Sequence, residues 1–561
     1  MSYAKARCAL FSSVSLALAL LSLATTSFGA PAEPSRSTAI GVSPLLVEAA
    51  AEVWGIIASK DNPVWPGWDA SDTPLLLYLP GQQDLLMNHP HPPEGFRRYL
   101  GPLAFPSGEI WVKDGPTLVA EDGQNTSMGV AGVKTLVVAD PLSNLRQRVG
   151  GLIEDPRPAA EKARSIRFED LVSDPYDQLA LIIHEAFHVY QERTAPSRET
   201  NEMLLLAYPT LSVQNNTLFA LEGAELAHAI EAKDNGAMRE AALRWLALRE
   251  ARRADLPARA TQYEDGVEFM EGLAKYTEYR LYEVLEGRTP APGLMQAQAF
   301  HGYGDLSARR RELVEQMLKN MRGEVNVNND PYGTAPVRFR LYYSGMAVGL
   351  LLDRIAPDWK QQLWSSDRSM TAIALATLHP SDAERAAALA AVRSEPGYSQ
   401  IVAAKTSLAE AGRKEFAARL AAIEGGIGTG ITVDYSALAS SKVALGFTPF
   451  GITVVDTART IFAQVPIQAE LEDGSRLSET FALPLLRDTS RREMKIRLEH
   501  PVSRAEIAHR IAPAMLGSAT PRPIAFELPG VKFDLRNATI LWTANTLHIV
   551  LHPQVKAPLQ P

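Results

Sequence analysis

Cysteine is nearly missing: Cys8 is the only one in 561 residues. That excludes a disulfide framework, so the fold must rest on apolar cores, and the chain is long enough for two or three of them. Positive charge is not in excess either. Lysine and arginine total 56 against 64 acidic residues, a formal charge of −8, and no basic stripe marks a nucleic-acid partner. Long apolar runs are absent with one exception, residues 9–24, which follow Lys5 and Arg7 and precede small residues up to Ala32. This is the three-part plan of a secretory signal peptide, with cleavage expected near Ala30 or Ala32. The run is shorter than the ~20 residues that span a bilayer. Cys8 precedes it, where a lipoprotein cysteine would follow. The expectation is an exported protein, periplasmic or secreted, with no membrane span in the mature chain.

The rest of the chain reads as an α+β protein in three parts. Residues 31–170 carry a Pro/Ser-rich linker, an amphipathic helix at 45–59, and strand-like runs at 75–79, 109–113 and 134–139, enough for a small sheet. Residues 144–167 read as a charged loop or insertion. From Asp174-Pro175, where proline suits a helix's first turn, residues 171–425 are mostly helical. Helical spacing recurs at 217–233, 237–254, 263–285, 307–321, 342–355 and 399–423. A glycine-rich stretch, 425–430, is expected to act as a flexible hinge. Residues 430–561 then alternate β-branched runs with turns, a predominantly β, sandwich-like module with no His/Asp/Glu cluster and no phosphate loop.

The chemistry centres on His184-Glu185-Ala186-Phe187-His188 inside a long uncharged run. At ~3.6 residues per turn the two histidines project from one helix face and can share a metal ion. Glu185 sits about 100° round, placed to contact a metal-bound water without being a ligand. The competing reading is two core histidines and a paired glutamate, but a buried helix under a cleft suits the flanks better. A catalytic zinc takes three protein ligands. The continuation Val189-Tyr190-Gln191-Glu192-Arg193-Thr194 lacks the third histidine of the three-histidine class, and a glutamate from a later helix is the remaining common solution. Glu271 is preferred, flanked by Gly272 and Ala274, which permit close helix approach. Glu268 and Glu222 remain alternatives, and Glu268 or Glu264 is expected to support a ligating histidine from behind.

The two motifs, His184–His188 and Phe269-Met270-Glu271-Gly272-Leu273-Ala274, resemble the gluzincin metallopeptidases, the thermolysin-like group of the peptidase MA class. The resemblance implies a zincin-like helical catalytic region, one Zn2+ held by His184, His188 and Glu271, and Glu185 as general base toward peptide or protein substrates. It covers roughly residues 170–360. The aminopeptidase branch's G-x-M-E-N sequence is absent. Tyr342-Tyr343-Ser344-Gly345, expected to open a helix, partly resembles that branch's Y-x-K-G motif and makes Tyr342 the candidate oxyanion donor, with His228, His301 and Tyr276 in reserve. By analogy with the same group, the strand at 134–139 would offer its edge to an extended peptide. A non-catalytic or non-peptidase exported zinc protein with a β binding module is the alternative function.

Overall fold

The computed structural model describes residues 40–553, except 107, 122, 144, 147–173, 199, 298, 326–329, 447–449, 464–465 and 512–514. The expected signal peptide, most of the expected linker and most of the 144–167 stretch lie outside the described residues. Helix α1 (Pro44–Ile57) opens on a proline and buries Leu46, Val53, Trp54 and Ile57. Six strands come next: β1 (Leu75–Leu79), β2 (Gln83–Met87), β3 (Arg97–Arg98), β4 (Ile110–Asp114), β5 (Thr126–Val130) and β6 (Val133–Ala139). They form one sheet in the order β3-β4-β2-β1-β6-β5, with β1 and β6 its parallel pair. β1 is buried throughout: Leu75, Leu77 and Leu79 face the main core, while Leu76 and Tyr78 pack with Leu86 and Val137 on the opposite face. A strand covered on both faces reads as a continuous apolar run. β2 is hard to see in the sequence because it opens on Gln83 and Asp84. Both are buried but engaged, Gln83 Oε1 accepting from Gly41 N at 2.8 Å and Asp84 Oδ2 from Leu118 N at 2.9 Å.

The helical region begins with α2 (Pro175–Thr194), capped by Asp174, whose Oδ1 accepts from Tyr176 N at 2.8 Å. It continues with α3 (Val213–Glu231), α4 (Asn235–Arg253) and α5 (Ala258–Val267), then a π-helical turn (Glu268–Gly272). After it come α6 (Leu273–Leu285), α7 (Ser307–Met321), α8 (Ala335–Ile355), α9 (Trp359–Ser365), α10 (Met370–Leu378), α11 (Asp382–Ser394) and α12 (Tyr398–Gly425). α8 corrects one expectation. It starts at Ala335, with Pro336 in its first turn, so Tyr342 lies two turns inside the helix rather than at its start. The charged Arg338 and Arg340 disguise that opening, yet Arg340 is buried with its guanidinium 4.1 Å from the Phe219 ring centroid. Among the described residues no helix is long and apolar enough to cross a membrane.

The glycine stretch after α12 is tied down rather than a free hinge. Arg497 donates to the carbonyls of Ile423 and Glu424 (2.8 Å each), Gly426 (3.0 Å) and Gly428 (3.1 Å). Beyond it lie β7 (Gly430–Asp434), β8 (Val443–Gly446), β9 (Ile452–Val454), β10 (Arg459–Phe462), β11 (Gln468–Leu471), β12 (Arg476–Glu479), β13 (Leu485–Asp488) and β14 (Glu493–Arg497). A helix, α13 (Arg504–Ile511), precedes β15 (Arg522–Leu528), β16 (Val531–Thr543) and β17 (Thr546–Leu551). The expected sandwich is corrected. All eleven strands join one sheet, a half-barrel rather than two stacked layers. The cause is β16, whose first half pairs with both β12 and β15 and whose second half pairs with β17. Its register against β15 slips at Arg522/Ile524, and its buried side changes phase between Leu535 and Ala538. An extra residue of this kind bends a strand and increases its twist.

The β region packs directly on the helices. Thr334 N donates to Ile452 O at 3.1 Å, Arg419 reaches Thr453 Oγ1 at 2.8 Å, and Phe339 stacks on Phe450 with centroids 5.8 Å apart.

Candidate metal centre

α2 turns its apolar face, including Ile182, Ile183, Phe187 and Val189, into the core, and His184 is buried with it. Glu271 arrives from the π-helical turn before α6. A single extra residue in a turn rotates the rest of the helix by about 100°, which takes Glu271 off the line of Glu264 and Glu268 and aims it at α2. The turn is held by a backbone-to-backbone crossing. A Cβ on Gly272 would lie 2.6 Å from Gly345 Cα of α8.

His184, His188 and Glu271 place one ligand atom each within 4.8 Å of one another, close enough for the three to hold one metal ion. Both histidine Nε2 atoms lie 3.3 Å from the same oxygen, Glu271 Oε2. Two ligand atoms in a tetrahedral zinc set, at metal distances of ~2.0–2.1 Å, sit roughly 3.3 Å apart. Charge-assisted hydrogen bonds between the same groups would draw in to ~2.7–2.9 Å.

The far side of each ring fixes which nitrogen faces the centre. His184 Nδ1 is 2.7 Å from Glu278 Oε1, and an ionised carboxylate only accepts, so Nδ1 carries the proton. His188 Nδ1 is 2.9 Å from Gln191 Oε1. Gln191 is itself oriented by donating Nε2–H to Phe269 O at 2.6 Å and Met270 O at 3.1 Å. Both Nε2 lone pairs therefore face a carboxylate oxygen, an arrangement that repels unless a cation stands between them. Without a metal ion a proton takes that place: burial alone would depress His184, but Glu271 and Glu278 lift it to about 10, so its Nε2 then carries a proton toward Glu271. Burial would raise Glu271, yet His188 and His184 hold it well below the carboxylate range. The donors fit a divalent metal ion.

Three groups complete the surroundings. Arg338 Nη2 donates to Glu271 Oε1 at 2.7 Å, fixing the oxygen that the imidazoles do not share. Tyr342 stacks on His184 with centroids 6.2 Å apart and lies under the Arg338 guanidinium at 5.7 Å. Burial and then the Glu271 charge push its hydroxyl well above its ordinary range, so it stays a donor. Glu185 is half-buried beside the triad and raised by burial, and among the described residues it holds no hydrogen bond or ion pair.

The alternative ligands are committed elsewhere. Glu268 forks onto Arg249 at 2.8 and 3.0 Å, and Glu222 takes Arg249 Nε at 2.9 Å. Glu264 binds Arg252 and Arg253 with Nη2–Oε2 and Nε–Oε2 distances of 3.0 Å. So neither Glu268 nor Glu264 backs a histidine; Glu278 and Gln191 do. Of the reserve donors, Tyr276 gives its hydroxyl to Asp353 at 2.7 Å, His228 is solvent-facing beside Glu225, and His301 is exposed. The sheet edge is corrected as well. β6 is paired on both sides, and among the described residues the edge strand beside α2 is β5, where Ser127 Oγ donates to Glu192 of α2 at 3.0 Å. Glu278 carries a visible signal, one heptad beyond Glu271; Arg338, 67 residues away, carries none.

Compared with family models, curated proteins and solved structures, the chain matches none. Its own geometry defines the site.

Proposed function

We propose that this chain is an exported zinc-dependent peptidase of the gluzincin type, with one zinc held by His184, His188 and Glu271. The observation that carries the reading is the convergence of two imidazole Nε2 atoms on one Glu271 oxygen, each at 3.3 Å, with both Nδ1 atoms already engaged. Two imidazoles and one carboxylate at tetrahedral spacing suit zinc better than magnesium or calcium, which prefer all-oxygen shells. Bound zinc supplies a Lewis acid that acidifies water and polarises a carbonyl. Glu185, free of other partners among the described residues, takes a proton from the attacking water and passes it to the leaving amine. Tyr342 donates to the oxyanion as it develops. Glu278, Gln191 and Arg338 hold the three ligands in place, so little reorganisation accompanies reaction. The open edge of β5 takes the backbone of an extended peptide.

A peptide-library digest with the full chain tests this. Cleavage should stop with a chelator, return with zinc, and fall about a hundredfold or more in Glu185→Gln while zinc content holds. Undiminished turnover in Glu185→Gln removes the base. Zinc-loaded protein that cleaves no peptide removes the peptidase assignment and leaves a hydrolase of another substrate or a binding protein.

A further inference from the structure

A groove of about 1030 Å³ runs between the helical region and the half-barrel. One wall is the segment Leu206–Ser212 with the start of α5; the other is α12 with the β9–β10 turn and β13. Its apolar lining includes Leu206, Leu211, Phe416, Leu420 and Val454. Its charge is one-sided. Four arginines, Arg259, Arg413, Arg459 and Arg487, line it against a single carboxylate, Asp456. Asp456 is already neutralised by Arg459 at 2.7 Å. Among the described residues Arg259, Arg413 and Arg487 have no ion-pair partner, and the buried Nε of Arg487 has no hydrogen-bond partner. In a chain of net charge −8 this concentration of unpaired guanidinium runs against the overall balance.

We infer that the groove docks an acidic peptide segment whose carboxylates alternate with apolar side chains. The three free arginines come from three separate elements, α5, α12 and β13. They call for several spaced negative charges rather than one compact anion. The volume lies at the upper end of the ~300–1,000 Å³ typical of small-molecule sites, which suits a short segment of chain. The apolar floor between the guanidiniums takes the intervening side chains. The groove is recessed between two walls and includes the buried Tyr208 and Phe416 in its lining, so a flat membrane surface would meet only its rim. Carboxylates pair with the planar guanidinium fork in two-point contacts, which adds register to attraction. Docking there is independent of hydrolysis at the metal centre.

Fluorescence anisotropy of a labelled Glu/Leu-alternating peptide, with the full-length Glu185→Gln protein so that no probe is consumed, tests it. Binding should be saturable, weaken at high salt, and be absent for the same peptide with glutamine for glutamate. Arg259→Glu/Arg413→Glu alters two exposed side chains and should weaken binding about tenfold or more. Arg487→Met should weaken it separately. Circular dichroism and zinc content, unchanged in each variant, establish that the fold is kept. No binding, equal binding of the neutral peptide, or binding indifferent to all three arginines overturns the inference. So does arginine-dependent binding of anionic phosphatidylglycerol vesicles in place of the peptide. None of these outcomes bears on whether the parent protein cleaves peptides.

Discussion

Replacing Glu278 by glutamine removes one negative charge behind His184 and leaves all three candidate ligands in place. The Glu278 side chain is 8 % exposed, with Oε1 2.7 Å from His184 Nδ1 and Oε2 2.7 Å from Lys275 Nζ. Its carboxylate fixes the tautomer that points the Nε2 lone pair inward and makes that nitrogen a stronger donor. Loss of such an outer partner typically costs 10–100-fold in metal affinity, about 1.4–2.7 kcal/mol. The charge loss also leaves the half-buried Lys275 beside a neutral amide, where its partial burial opposes the charged form. Glu278→Gln/Lys275→Met separates the two effects, because it removes the stranded ammonium while leaving the amide oxygen on His184. Zinc affinity, read by competition with a chromogenic chelator, should fall by about 10–100-fold in the single variant. The double variant should regain stability in chelator-treated melts without regaining zinc affinity. Single-variant affinity within about twofold of the parent, well short of that fall, would refute the claim that Glu278 tunes a ligand.

Two further outcomes are expected from the packing and the titration. Gly345→Ala places a Cβ 2.7 Å from both Glu268 O and Gly272 Cα, backbone atoms that cannot swing away. It should cost about 1–3 kcal/mol in urea unfolding and weaken zinc binding, since the same crossing holds Glu271; full stability would show that the crossing relaxes freely. In the half-barrel, burial raises Glu479 from 4.5 to about 7, only partly offset by the Ile467 and Leu483 amides. A raised carboxyl contributes stability present below its unfolded value and lost as pH rises through about 7. Glu479→Gln does not titrate and should therefore be more stable than the parent above about pH 7, by up to about 3 kcal/mol, with little difference below about pH 5. Parallel pH profiles of the urea midpoints would contradict this.

Much of this architecture is legible in the chain where local pattern and burial agree. The LLLYL run of β1 and the helical stretch at 307–321 coincide with their expected bounds. So does the placement of Asp174-Pro175 at the start of α2. The losses have physical causes. β2 and β5 carry Gln83, Asp84 and Ser127, whose hydrogen-bond partners Gly41, Leu118 and Glu192 lie far away in sequence, and Gly129 interrupts the apolar pattern of β5. α8 begins among arginines that are buried by aromatic faces. The half-barrel depends on a register slip in β16, which alternation alone does not reveal. At the site, Glu264 and Glu268 share a face with Glu271 in an ideal α-helix, and only the π-helical turn separates them. Gly272 is the one local sign of it. Arg338 reaches Glu271 through tertiary packing and leaves no trace in spacing.

The central claim is one cation between His184, His188 and Glu271. Elemental analysis of full-length protein purified from zinc-supplemented medium, alongside His188→Ala and Glu271→Ala, tests it most directly. About one zinc per parent chain is expected and none retained by either variant, with circular dichroism unchanged. A metal-free parent, or a folded Glu271→Ala variant that keeps its full zinc, would contradict it.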